Sequence, residues 1–138
     1  MTLIEQFPVL LVTIGVFSAF TILVFGWQSK KSCFFISAAT ISVQFIMALF
    51  ILNHVLTVGT IHYWLGGWIP PWGIEYVVDA LNAYIMVIVL FICLIGAIYS
   101  KRSVEHEIEK SKHIHFYTLF QLIVAGMCGV VLTGDIFN

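Results

Sequence analysis

Four long apolar stretches alternate with three short polar ones along this chain, and that alternation carries most of the reading. Residues 7–27, 33–56, 77–99 and 116–132 contain almost nothing but aliphatic, aromatic and small residues. Each approaches or exceeds the roughly 20 apolar residues that a helix needs to cross a bilayer, so four transmembrane helices are predicted. Residues 57–76 read as a connecting loop instead. Trp64, Trp68 and Trp72 recur at every fourth position there, but Gly66, Gly67, Pro70, Pro71 and Gly73 interrupt any helix through them. Indole rings combine an apolar body with one N–H donor, which suits the membrane–water boundary, so the three tryptophans are predicted to act as interfacial anchors.

Composition agrees with the pattern. With 61% hydrophobic and 9% charged residues and a mean hydropathy of +1.05, a water-soluble domain of 138 residues could not cover its core with polar surface. The expectation is one all-α membrane domain over residues 1–138, with the lipid bilayer as its first partner and no role in nucleic-acid binding. The first apolar stretch carries Glu5 where a secretory signal would carry a basic segment, so it reads as a retained helix. Cys33, Cys93 and Cys128 fall on three different helices without a C-x-x-C spacing and read as small buried hydrophobes.

Charge sets an orientation. All six basic residues, Lys30, Lys31, Lys101, Arg102, Lys110 and Lys112, lie in the two connections that four alternating spans would put on one side. By the positive-inside rule those connections are predicted to be cytoplasmic, leaving the N-terminus, the tryptophan loop and Asp135 outside. The stretch 101–115 is the only strongly charged one and reads as a cytoplasmic loop holding a short solvated helix. Its pairs Glu107 with Lys110, Glu109 with Lys112 and Glu109 with His113 have helical spacing.

Few side chains inside the spans carry polar chemistry. Gln44 and Gln121 fall near mid-span, where an amide needs a partner on another helix, and both are predicted to serve helix packing. Ala125 and Gly129 form a small-xxx-small step that would let two helix backbones approach. No Asp, Glu, Lys or Arg stands near the middle of any span, where a proton relay would require one. No catalytic constellation is visible. His106, Glu109 and His113 could share a helix face, but Lys110 breaks the H-E-x-x-H pattern, so no metal is expected. A b-type haem would need histidines paired at one depth, whereas His54 and the pair His113 and His115 fall at opposite ends, so no cofactor is expected.

Three motifs, in order, carry a resemblance. Gly66-Gly67-Trp68-Ile69-Pro70-Pro71-Trp72-Gly73-Ile74, Asp79-Ala80-Leu81-Asn82-Ala83 and Thr133-Gly134-Asp135-Ile136-Phe137-Asn138 together resemble the N-terminal part of the proton-conducting antiporter-like subunits. Those include the D-type subunit of the Mrp-type sodium/proton antiporters and related membrane subunits of complex I and membrane-bound hydrogenases. The resemblance implies a fold of about fourteen helices in which protons follow buried charged side chains, the usual mark of an intramembrane path. It also implies a mid-membrane Glu on a fifth helix after the GD-x-F-N motif and a Lys on a later one, both beyond Asn138. On this reading the chain is an N-terminal fragment, or a truncated or split form, of such a subunit in a prokaryotic plasma membrane. It would contribute scaffold helices and the outer edge of the path for protons and monovalent cations, with Asp135 as the candidate ion-path residue and other membrane subunits as partners. At most it would belong to an ion-translocating quinone-reductase-like or hydrogenase-like complex, without catalytic residues of its own. A stand-alone four-helix scaffold and a small oligomeric transporter are the alternatives; the transporter would need a membrane-embedded carboxylate that the four spans lack.

Overall fold

A computed structural model describes residues 3–27, 29–67 and 73–134. Its order is a 3-10 turn at Leu3–Gln6, α1 (Phe7–Phe25), α2 (Lys30–Thr57), β1 (Ile61–Trp64), a 3-10 turn at Leu65–Gly67, β2 (Glu75–Val78), α3 (Ala80–Glu107), a 3-10 turn at Lys110–Lys112 and α4 (His113–Leu132). All four helices are long and apolar enough to cross a membrane. Pro8 lies in the first turn of α1, where a missing N–H breaks no helical bond. Asp79 caps α3, its Oδ1 accepting a 2.7 Å hydrogen bond from the Asn82 amide.

The helices form one bundle in which α1 packs on both α2 and α4, and α2 also packs on α3. Leu11, Ile41, Ile51, Met86, Leu90, Val124 and Leu132 fill its main core. A second cluster, with Ile22, Cys33, Val104, Ile114 and Tyr117, closes the end where the chain turns from α1 to α2. The outward faces are as apolar as the inward ones: Phe17, Phe20, Ile92, Ile98 and Val130 are all more than half exposed. In water such a surface would be one continuous sticky patch, whereas in lipid it is the ordinary exterior of a span. This is a multi-pass membrane protein.

Three expected boundaries are revised. The loop at 57–76 contains a two-stranded antiparallel sheet, with Ile61 opposite Val78 and Trp64 opposite Glu75. The runs Ile-His-Tyr-Trp and Glu-Tyr-Val-Val are β-branched or aromatic enough to pair. The cytoplasmic loop expected at 101–115 is mostly helix. α3 runs on to Glu107 and α4 begins at His113, not 116. At 1.5 Å per residue the 28 residues of α3 reach about 42 Å, against about 30 Å of hydrocarbon, so its last turns stand in water. Lys, Arg and Glu are good helix formers, and a helix has no reason to stop where its apolar run does. Of the three charged pairs, only Glu109 and Lys112 form an ion pair among the described residues, exposed and at 3.7 Å. His113 instead turns inward, its Nε2 3.0 Å from the Ile108 carbonyl.

Candidate functional site

Among the described residues, the bundle interior holds one polar junction, built from α1, α2 and α4. Gln44 Nε2 donates to the Leu11 carbonyl oxygen at 2.8 Å. Its Oε1 accepts from Gln121 Nε2 at 3.4 Å, and Gln121 Oε1 accepts from the Ser37 hydroxyl at 3.2 Å. Ser37, Gln44 and Gln121 are all fully buried. Both glutamines thus donate and accept within protein, which apolar surroundings demand. One nearby group lacks this: among the described residues, Thr118 Oγ1, one turn before Gln121, is buried without a partner.

Gly15 makes the junction possible. A Cβ at that position would lie 2.9 Å from both Gln44 Nε2 and the Ala125 Cβ, closer than real side chains sit. The absent side chain lets α1 approach α4 and exposes the Leu11 carbonyl to Gln44. Ala125, from the expected small-residue step, is the other half of this approach. Gly129 is not, because a Cβ there would meet nothing within 4 Å. The second small residue of the contact comes from α1, a pairing that spacing on α4 alone does not reveal.

The second polar region is the hairpin corner, where the hairpin holds both α3 and the end of α4. Asn82 Nδ2 donates to the Val77 carbonyl at 3.0 Å, tying α3 to β2. Tyr76 pairs with Thr133 in an antiparallel bridge, and the Gly134 amide donates to the Glu75 carbonyl at 3.0 Å. A Cβ on Gly134 would meet Val77 Cγ2 at 2.6 Å, so any other residue there would have to displace Val77. The hairpin therefore fixes the chain directly before Asp135. His62 Nδ1 lies 2.8 Å from Glu75 Oε1, with the histidine side chain 52% and the glutamate 23% exposed. Burial pushes the Tyr76 phenol above its ordinary pKa. Trp64 is exposed at the end of β1. Trp68, Trp72 and Asp135 lie outside the described residues.

The interior junction is built wholly from neutral groups. It can hold three helices in register, but an amide or hydroxyl neither takes up nor releases a proton near neutral pH. Among the described residues no three His, Cys, Asp or Glu side chains gather as metal ligands would.

Comparison with known proteins gives the arrangement its context. The chain is 30% identical over 134 residues to the D subunit of a Na(+)/H(+) antiporter of Bacillus subtilis, across 97% of this chain and 26% of that one. It is 40% identical over 76 residues to the N subunit of NADH-quinone oxidoreductase of Desulforudis audaxviator, covering 55% of this chain and 15% of the relative. The chain is a homologue of the antiporter-like membrane subunits. It spans about a quarter or less of the length of these antiporter-like relatives. The fold has the same likeness: a chain of the Mrp complex from a Dietzia species superposes on all of it, covering 24% of that chain, with a TM-score of 0.84 and 24% identity. No protein-family model matches the sequence.

Proposed function

We propose that this chain supplies leading helices of an antiporter-like subunit in a multisubunit monovalent cation/proton antiporter or a related proton-pumping complex. Its contribution is scaffold helices and the outer edge of the ion path. One observation carries this reading: among the described residues the polar assembly inside the four helices is neutral and internally bonded, while no Asp, Glu, Lys or Arg stands near mid-span in any of them. The six basic residues on one side support a cytoplasmic position for the α1–α2 and α3–α4 connections in a prokaryotic plasma membrane. The tryptophans then anchor the outer interface, and Asp135 stands at the outer edge of the ion path.

Two experiments test the reading. For orientation, single cysteines replace Thr60 beside the hairpin and Ser111 in the α3–α4 connection, both exposed positions. A membrane-impermeant maleimide should label Thr60→Cys in right-side-out vesicles and Ser111→Cys only in inverted ones; the reverse pattern would invert the topology. For the ion path, Asp135→Asn is placed in a full-length subunit carrying this segment, and sodium/proton exchange is followed in inverted vesicles. A loss of roughly tenfold or more per assembled complex, about 1.4 kcal/mol of barrier, is expected. Unchanged exchange would remove Asp135 from the path.

The same neutral interior also fits a stand-alone scaffold. The intact mass of the polypeptide from its native membrane separates the two, since a mass well above 15.5 kDa means that the segment belongs to a longer subunit, and a mass of that value favours the scaffold.

A further inference from the structure

Where α3 emerges from the apolar layer beside the start of α2, a cavity of about 980 Å³ opens between them. Three lysines line it, Lys31, Lys101 and Lys110, against one carboxylate, Glu105. All four are exposed, and none takes part in an ion pair among the described residues. The lower wall is aromatic. Lys101 Nζ stands 5.2 Å from the Phe34 ring centroid and 5.7 Å from that of Phe35, and Phe35 is 61% exposed. Its ammonium thus stands near both rings on an exposed side chain. Basic groups above, aromatic surface below and a position at the end of four apolar spans are the features of an amphiphile's headgroup boundary.

We propose that this cavity binds the headgroup of an anionic phospholipid. The phosphodiester meets Lys31, Lys101 and Lys110, and the first carbons of an acyl chain lie along Phe34 and Phe35. Three cations against one anion give the pocket its sign. Its open apolar floor, which a free anion would leave uncovered, favours a lipid over soluble phosphate. Lys112, already paired with Glu109, stands outside the cavity lining and serves as a control carrying the same charge in the same connection.

Native mass spectrometry of the purified protein, titrated with dioleoylphosphatidylglycerol or dioleoylphosphatidylcholine, tests this directly. One phosphatidylglycerol should be retained, with the choline lipid held roughly tenfold more weakly. Lys31→Gln and Lys101→Gln should each weaken retention about fivefold, and Lys112→Gln should leave it unchanged. Equal retention of both lipids, or an equal loss in Lys112→Gln, would overturn the proposal, the latter by reducing it to general surface charge. Displacement of the lipid by millimolar inorganic phosphate would equally overturn the lipid assignment. Helical circular dichroism is the folding control, and the exposed Lys31→Gln alone decides the matter if Lys101→Gln unfolds.

Discussion

The interior junction and the hairpin corner solve one problem, holding separate helices together, by different physics. Inside, Gln44, Gln121 and Ser37 are sealed from both lipid and water, so each lost hydrogen bond leaves a polar atom with nowhere to turn. At the corner, backbone groups of β2 and of Thr133 and Gly134 after α4, together with the Asn82 side chain of α3, do the joining, while the His62–Glu75 pair is half open to solvent. Water can replace much of what is lost there. Disruption should therefore cost most in the interior and least at the exposed pair, although the corner has more polar contacts.

Four substitutions grade that difference. Gly15→Leu forces α1 away from Ala125 and breaks the Gln44 bond to the Leu11 carbonyl, combining overpacking with an orphaned amide. It should lower stability by about 3 kcal/mol or prevent assembly, read as helicity lost during denaturant titration in detergent. Gln121→Leu leaves Gln44 Oε1 and the Ser37 hydroxyl without their partner and should cost about 2 kcal/mol in the same titration. Gly134→Ala drives a methyl into Val77 at the corner, where the partly exposed side chain can give way; about 1 kcal/mol is expected. Its sharper readout is faster amide exchange at Gly134. His62→Ala should change stability by no more than about 0.5 kcal/mol, because the pair it removes is solvent-exposed. If His62→Ala proved as costly as Gln121→Leu, the distinction between the two regions would fail.

The two regions also differ in how far the sequence exposes them. Four spans follow from apolar length alone, and an amide in the middle of such a run announces a need for a partner, so Gln44 and Gln121 stand out at once. Their bonding to each other, to Ser37 and to Leu11 does not, because it depends on α1 lying against α4, a contact between residues more than a hundred positions apart. Gly15 shows the gap clearly: as one glycine in an apolar run it carries no signal until Ala125 is placed opposite. The hairpin was legible in principle. Its alternating β-branched and aromatic residues were overshadowed by the Gly/Pro segment between them, which reads as loop. Helix ends were the least legible, since nothing in Lys101 to Glu107 opposes helix once water surrounds it.

The central claim is that the neutral junction holds helices and conducts nothing. It is tested most directly by the pair Gln44→Met and Gln121→Met, which removes both amides together while keeping similar volume and so leaves neither stranded. The measurement is sodium/proton exchange per assembled complex in vesicles, with this segment carried in a full-length subunit. Exchange within about twofold of the unsubstituted protein is the predicted result, the small allowance reflecting repacking. Exchange abolished in a complex that assembles normally would contradict the account and place the two glutamines in the conducting path.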